Sequence, residues 1–533
     1  MAIKRLFRQG GKMKNIVFIL LSILIASNVF AATYYVRPIS GEYGAEDGSS
    51  YAAAFDGFAD AWATIGNGPN TLFICGTHTE QLTPDASGTD DDNRLQIVSC
   101  TIANGSSNDD AGIIDSVTVG GVGQGVIYLS GQDYITVDGI TIQNSVGVNS
   151  TGIVINGSNY VTIKNSIIDT CSRNGIYVLN GSSNYIIEYS DIKDSFRNGF
   201  LSDDGSPAGG IIRYNLFDGN GTDTDADTCT PGDTGKSYNH NIYIGVATTG
   251  TTEIYGNKII DGLCGQGIKA KASSTIYHNY IDGNEENGIM LIGHANKNGE
   301  TVNFYVYNNV IASGGWKRPI LYYDEGETTE TVNIYIYNNS LYEPSGQMGI
   351  SLGSNSPPDI FNVKNNAIQV DTGTYGCFYA FSGSTPSSSR DIDYNWCLGN
   401  TNSYNWQGSY QTLTQWRALG HDVNGDTADP LYTNEAIGDL TLSAGSPCID
   451  SGINLGETFV NALDPDTTWT LQNPGIVAAS VIPASQYDFG SGWEVGAFVY
   501  GEESVYGGPG TIAGGGTGTI AGGGTGTIEG TEP

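Results

Sequence analysis

Positive charge is scarce in this chain. It has 22 Lys and Arg against 56 Asp and Glu in 533 residues, for a formal net charge of −34. That balance excludes a protein that coats nucleic acid, which needs a basic field. Charged residues of both signs reach only 15%, too few for the Lys/Arg/Glu-rich faces of coiled coils and helical bundles. Beyond the N-terminus no apolar run is long enough to cross a bilayer. There is no P-loop, no nucleophile elbow and no dinucleotide fingerprint, because the GxG runs follow turns with no helix after them. The eight Cys are widely spaced with no C-x-x-C, which argues against a zinc site. What the chain has in quantity is Gly, 75 residues, with 39% hydrophobic and 10% aromatic residues. That is enough to bury a core and too much for wholesale disorder.

Lys12 and Lys14 precede an apolar run from Ile16 to Ile25, and Val29-Phe30-Ala31 offers small residues at a cleavage site. Residues 1–31 therefore read as a secretory signal cut after Ala31, with Met13 an alternative start. An uncleaved anchor is the alternative, but the run is shorter than the ~20 residues that span a bilayer. The expected location is secreted, periplasmic or cell-surface, with no membrane insertion after cleavage. Cleavage removes five basic residues and no acidic ones, leaving 17 against 56 and a net charge of −39. An even Cys count in an exported chain suits disulfides. Connectivity stays open, with Cys229–Cys264 and Cys377–Cys397 the expected pairs.

A short phrase recurs: a β-rich stretch, then Asn or a substitute, one residue, then Ile, Leu or Phe. It reads YVTIKNSII, YIIEYSDI, GIIRYNLF, TEIYGNKI, STIYHNYI, FYVYNNVI, IYIYNNSL and FNVKNNAI. Its alignable positions are Gly139, Asn165, Ser190, Asn215, Asn257, Asn279, Asn309, Asn339, Asn366 and Asn395. All but one of the gaps lie between 22 and 30 residues, and the exception, 42, carries an insertion. A second phrase runs half a period away, as NGIYVLN, NGFLSDD, HNIYIGV, QGIKAKA, NGIMLIG and QMGISLG. Both alternate apolar and other residues between Gly, Asn and Ser, which is strand punctuation. Short strands at such a period predict a solenoid whose stacked coils share one core. Gly and Asn suit the corners because both tolerate positive φ. Asn at one position per coil predicts an internal ladder of side-chain amides. The expected organisation is all-β. A parallel β-helix spans 95–420, after an N-terminal cap and first strands over 32–94 that include a helix within 50–64. A closing segment covers 421–506 and a Gly/Thr-rich repeat tail 507–533.

At this point the chain resembles secreted right-handed parallel β-helix proteins of the pectate-lyase-like superfamily. The resemblance covers roughly residues 34–500. It rests on TYYVRPISGEYGAEDGSSYAAAF…WATI, the Asn-x-Ile coils, and DPLY…GDLTL…GSPCIDSG…GWEVGAFVY. It implies a right-handed parallel β-helix. It does not imply one activity, because the superfamily includes lyases, hydrolases, epimerases and non-enzymatic adhesins.

Of the 17 basic residues, 12 fall between Lys164 and Arg318. Stacking the second phrase puts Ile176, Phe200, Ile242, Ile268, Ile289 and Ile320 in one inward row. Alternation then turns Tyr177, Leu201, Tyr243, Lys269, Met290 and Leu321 outward. The next outward row is Leu179, Asp203, Gly245, Lys271, Ile292 and Tyr323. Two residues before the inward row lie Asn174, Asn198, His240, Gln266, Asn287 and Arg318, with Arg173 and Arg197 one further back. With coils ~4.8 Å apart, Arg173, Arg197, His240, Lys269 and Lys271 are expected to form an outer stripe interleaved with Tyr177, Tyr243 and Asp203. Without an anion its charges would repel by about 1–4 kcal/mol at close range. The stripe therefore either binds an acidic polymer or pairs with nearby carboxylates. The insertion before His240 carries Asp223, Asp225 and Asp227, alternating carboxylates that suit Ca²⁺ or form a solvated acidic loop. Long loops on solenoids tend to line the functional face. His278 and His294 fall at coil corners and are expected to face solvent.

Breaking a polyuronide by β-elimination needs a neutralised carboxylate, a base for the C5 proton and an acid for the leaving oxygen. Lys269 or Lys271 as base, with Tyr243 or His240 as partner, is coherent with that chemistry, and Arg173 and Arg197 suit bidentate grips on carboxylates. The phrases HNIYIG and GQGIKAKA resemble the site region of β-helix proteins related to alginate and chondroitin lyases and uronate epimerases. That resemblance implies Lys/Arg or His/Tyr sets, often with Ca²⁺. The expected protein is a monomer acting on an acidic polysaccharide by lyase or epimerase chemistry. One alternative is a non-catalytic carbohydrate-binding or adhesin-like β-helix, whose Tyr-rich coils would offer platforms for sugar rings. Another is a glycoside hydrolase, since Asp203-Asp204, His240 and Ile268-Lys269 on successive coils faintly echo polygalacturonases. The preceding coil lacks their Asn-x-Asp carboxylate and the last motif lacks their Arg.

Overall fold

Each turn of the chain lays down three short strands, and each strand pairs in parallel with its counterpart one turn on. Ile186–Glu188, Asp191–Lys193 and Phe200–Ser202 make one turn, and Ile211–Arg213, Leu216–Asp218 and Ile242–Ile244 make the next. The structure is a computed structural model. It describes residues 31–501 except 102–104, 106–109, 148, 204, 206–208, 223–238, 248, 294–299, 313–317, 326–330, 346, 354–356, 372–374, 381–388, 400–402, 407, 470–480 and 488–489. The signal segment before residue 31 and the repeat tail thus lie outside the described residues. Among those described, the strands form three long sheets of 14, 12 and 12 strands, here called first, second and third in the order each coil visits them. The fold is a right-handed parallel β-solenoid of about 10 turns with few helices.

Short helices lie at both ends. Phe58–Thr64 buries Phe58, Ala61 and Trp62 against the first strands. Leu413–Ala418 puts the fully buried Trp416 against Tyr404, ring centroids 5.3 Å apart. Just before it, Ser409–Gln411 pairs antiparallel with Tyr404–Trp406, which blunts the last parallel edge of the third sheet.

From Ile135–Asp138 onward the corner between the first and second sheets is two residues long. Its first residue takes positive φ, as at Tyr214 (56°), His278 (55°) and Asn308 (52°). Its second residue carries the amide ladder. Asn215, Asn257, Asn279, Asn309, Asn339, Asn366 and Asn395 are all 0% exposed. Asn279 Nδ2 donates to Asn309 Oδ1 at 3.0 Å and to the Ile254 carbonyl at 2.9 Å, and its backbone N–H reaches Asn309 Oδ1 at 3.1 Å. The ladder ends on an acceptor, Asp422, which takes Asn395 Nδ2 at 2.8 Å and Trp416 Nε1 at 2.9 Å. At its other end the register corrects the sequence alignment. Ser166, not Asn165, stands in the ladder, donating its N–H to Ser190 Oγ at 3.2 Å. Asn165 takes the positive-φ corner position (51°) and sends Nδ2 to Asp138 Oδ1 at 2.8 Å, and Gly139 shares that register position, φ 73°.

The segment from Tyr432 to Tyr500 runs back along this corner. Asn365 Nδ2 donates to the Ile453 carbonyl at 2.8 Å, Asn308 Nδ2 and His278 Nε2 meet the Asn461 carbonyl, and the Ala497 N–H reaches Ser340 Oγ at 3.0 Å. His278 was expected in solvent at a corner. The corner position is right, but the segment covers it to 5% exposure, and burial pulls its pKa down to about 4. His294 lies outside the described residues. Of the cysteines, Cys377–Cys397 is bridged as expected and Cys75–Cys100 is a bridge the sequence reading did not propose. Cys264 is disulfide-bonded, while Cys229, its expected partner, lies outside the described residues.

Two outcomes follow for stability. Asn309→Ala leaves the Asn279 N–H and amide without their acceptor, so a loss of about 2–4 kcal/mol is expected in urea unfolding. His278 has a folded pKa below the free value of 6.5. Its contribution is therefore full above pH 6.5 and lost as pH falls toward 4, by at most about 3 kcal/mol. His278→Gln should flatten that part of the acid-side loss, read as the difference in unfolding midpoint between the two proteins at neutral and acid pH.

Candidate functional site

The third sheet is the face flanked by long loops. The two-residue corner lies on the opposite side of each coil, whereas the chain between Leu216–Asp218 and Ile242–Ile244 holds the whole insertion. Asp223, Asp225 and Asp227 fall within it, outside the described residues. Among the described residues no group of three or more His, Cys, Asp or Glu is placed to hold a metal ion.

The stacking register matches that read from the phrases. Ile176, Phe200, Ile242, Ile268, Ile289 and Ile320 pair in sequence and are all 0% exposed. Tyr177, Leu201, Tyr243, Lys269, Met290 and Leu321 form the next row. Lys269 and Lys271 point to the same side and share one carboxylate. Glu325 Oε2 lies 2.6 Å from Lys271 Nζ, and its Oε1 lies 3.8 Å from Lys269 Nζ. Tyr243 sits one coil before them, its ring centroid 5.4 Å from Lys269 Nζ and 5.9 Å from Lys271 Nζ.

His240 does not belong to this outer stripe. It is 1% exposed, its N–H donates to Asn198 Oδ1 at 2.9 Å, and its Nδ1 accepts the Gln266 N–H at 3.3 Å. With Asn198 Nδ2 on Asn174 Oδ1 at 3.0 Å, these residues make a second buried polar ladder. The physical reason is parity: His240 and Ile242 are two residues apart and share the inward side. Burial, then Lys269 and Lys271, hold its pKa well below 6.5. The ring is therefore neutral, and with Nδ1 accepting, its proton sits on Nε2. His240 lies beside Tyr243, ring centroids 5.4 Å apart.

Arg173 and Arg197 have the opposite parity and lie one coil apart, the Arg197 N–H donating to the Arg173 carbonyl at 2.6 Å. Arg173 Nη1 reaches Asn149 Oδ1 at 3.3 Å, and its buried Nε has no hydrogen-bond partner. Burial and the Arg197 charge lower the Arg173 pKa, opposed by Tyr177 and Asp203. All four proposed binding residues thus act on one neighbourhood. Elsewhere in the basic stretch the expected pairing with carboxylates is what the fold provides. Lys164 meets Asp138 at 3.3 Å, Lys193 meets Asp169 at 3.6 Å, and Arg213 meets Glu188 at 2.6 Å, all on the first and second sheets.

The sequence reading missed Glu325 as the shared counter-ion, because that contact spans 54 residues and skips a coil. The acidic pair closing ILYYDE was the available signal. Arg318, which the stacking places on the following coils of this face, is buried near Glu286, Tyr375 and Tyr379, with Nε 3.2 Å from Met348 Sδ, and Met290, Ile292 and Leu321 form an apolar cluster on the same coils.

A family model described as "Right handed beta helix region" matches residues 88–230. No curated protein matches the chain. Among solved structures, one titled as pectate lyase Pel9A has 16% sequence identity and a TM-score of 0.44, over 88% of this chain and 96% of that one. Another, titled as XylC in complex with xylose, has 11% identity and a TM-score of 0.36, over 71% of this chain and 86% of that one. At such identities and TM-scores neither carries an argument about this chain. The family match and the architecture agree on a right-handed parallel β-helix.

Glu325→Gln should remove the internal competitor for both lysines. Binding to polygalacturonate is expected to tighten several-fold at low ionic strength, with the gain shrinking as salt is added. Calorimetry at two salt concentrations checks this, and weaker binding would count against a polyanion on this face.

Proposed function

We propose that the protein acts on an acidic, uronate-containing polysaccharide laid along the outer face of the third sheet, by abstraction of the C5 proton. The observation that carries this is the convergence of Lys269, Lys271 and Tyr243 beside Arg173 and Arg197 on one face of an otherwise acidic chain. In this reading Arg173 and Arg197 grip carboxylates of neighbouring sugars. Lys271, held by Glu325, neutralises the carboxylate of the reacting uronate and so stabilises the charge that develops when C5 loses its proton. Lys269, with the longer contact to Glu325, takes that proton in its neutral form. The C4–O4 bond breaks, a C4–C5 double bond forms, and Tyr243 gives its proton to the leaving oxygen. In an epimerase Tyr243 would return the proton to the opposite face of C5 instead. The reading places the mature chain outside the cell, as a monomer, with Ca²⁺ at the insertion aiding carboxylate binding.

A second reading, a non-catalytic polyuronide-binding module, has one observation in its favour. Lys271 is already paired with a carboxylate, Glu325, at 2.6 Å, and a carboxylate of a bound uronate could take that place with no proton transfer. A single experiment separates the two. The protein is incubated with alginate, pectate and glycosaminoglycans, with and without Ca²⁺, and the ultraviolet absorbance of unsaturated uronate is followed. The expected result is a rise on at least one polymer, abolished by Lys269→Ala combined with Lys271→Ala while the circular dichroism is unchanged. Retention without a rise, and without exchange of the C5 hydrogen for deuterium, supports the binding module. New reducing ends without the absorbance support hydrolysis.

A further inference from the structure

We propose that the protein binds an alkylated ammonium, a cation with an apolar coat, in a cleft where the C-terminal segment meets the second sheet. The cleft has a volume of about 290 Å³, at the small end for ligand pockets, and Tyr280, Ile437, Asp439 and Trp469 form its walls. Tyr280 opens the second-sheet strand Tyr280–Asp282, and the other three belong to the returning segment. These walls reach solvent. Ile437 is 71% exposed, the most of any large apolar side chain among the described residues, and Tyr280, Asp439 and Trp469 are each partly exposed. The two rings lean together at 39° with centroids 5.3 Å apart. The buried Phe498 backs Trp469 edge-on at 6.3 Å, and the indole N–H donates to the His278 carbonyl at 3.3 Å, which fixes the wall. Gly438 sets Ile437 beside it. A Cβ there would strike the Tyr280 hydroxyl, and its φ is 75°, so the turn Glu435–Ile437 ends pressed on that phenol.

The chemistry of the occupant follows from what the walls leave available. The four side-chain donors lining the cleft are all used inside the protein. Tyr280 donates to Asp282 Oδ2 at 3.1 Å, Thr441 to Asp439 Oδ1 at 2.7 Å, Thr467 to the Ile482 carbonyl at 3.3 Å, and Trp469 to His278. A sugar or an anion would find no such donor for its oxygens. What remains is aromatic and apolar surface with one carboxylate. Among the described residues, Asp439 Oδ2 takes no hydrogen bond and is not buried. No Lys, Arg or His lines the cleft. Burial, then Asp282, Asp439 and Asp261, push the Tyr280 pKa up, so the phenol stays neutral and three carboxylates bear on it. Lys258, one coil back beside Tyr280, faces Asp218 and Asp282, which leaves a negative excess. Ring faces beside negative charge attract cations. A metal ion would need more carboxylates than the one lining the cleft. A primary ammonium brings three N–H groups and would meet one free carboxylate oxygen, whereas an alkylated ammonium asks only for ring faces and charge. The site stands on the second sheet, apart from the third-sheet face, and does not depend on the activity proposed there.

Calorimetric titration of the full chain tests this at about 0.15 M salt, where diffuse attraction to an acidic protein is largely screened. The probes are choline and its uncharged carbon isostere, dimethylbutanol. Choline is expected to bind at a single site, and the isostere about tenfold more weakly. Asp439→Asn removes the charge and keeps the oxygen that Thr441 uses. It should weaken choline about tenfold and leave the isostere, the unfolding midpoint and binding to polygalacturonate unchanged. The polygalacturonate arm separates failure here from failure of the proposed activity. Absence of choline binding, equal affinity for the isostere, or full choline affinity in Asp439→Asn would each overturn the proposal.

Discussion

The amide ladder at the corner between the first and second sheets is the constraint on which the rest depends. Coils stack about one strand spacing apart, so any polar group turned inward at a corner meets its own counterpart above and below. Asn can donate to the next coil and accept from the last with a single planar group, repeated without change. Every amide from Asn215 to Asn395 does so while fully buried. Each loss orphans groups on two coils. The ladder therefore holds the register of the neighbouring strands, and with it the parity of every side chain on the other two sheets.

That tight corner also determines where loops can go. Where stacked amides lock it, from Asn215 to Asn395, the turn stays at two residues and admits no insertion, and chain length there varies at the corners beside the third sheet. The same corner has a second use. Its positive-φ residues His278, Asn308 and Asn365 present side chains outward in a row, and the C-terminal segment docks on them. One flank of the solenoid is thus covered and the opposite face is left to long loops and to the scarce basic residues.

The electrostatics follow the same division. On the first and second sheets, cations meet carboxylates of neighbouring coils and contribute little beyond local neutrality. On the third sheet, Arg173 stands beside Arg197 with a buried unpartnered Nε, and two lysines share Glu325. A carboxylate polymer entering this face would replace an internal counter-ion with its own, which links binding to ionic strength.

The sequence by itself determined the fold, the inward row from Ile176 to Ile320 and the outward row through Lys269. Those follow from periodicity, and parallel stacking copies a period faithfully from coil to coil. It also determined that a cluster of basic residues would fall on one face. Parity within a strand was legible too, and applying it two residues upstream would have placed His240 inside with Ile242 rather than on the stripe. The offset between Asn165 and Ser166 was not legible, because both residue types are acceptable at either corner position and only the hydrogen bonds distinguish them. Tertiary structure alone decided the partners that skip coils or return from far along the chain. Glu325 reaches back two coils to Lys271, and Asn461 returns across 183 residues to cover His278. No repeat encodes such contacts, since they depend on how side chains and a returning segment meet a surface that exists only once the coils have stacked.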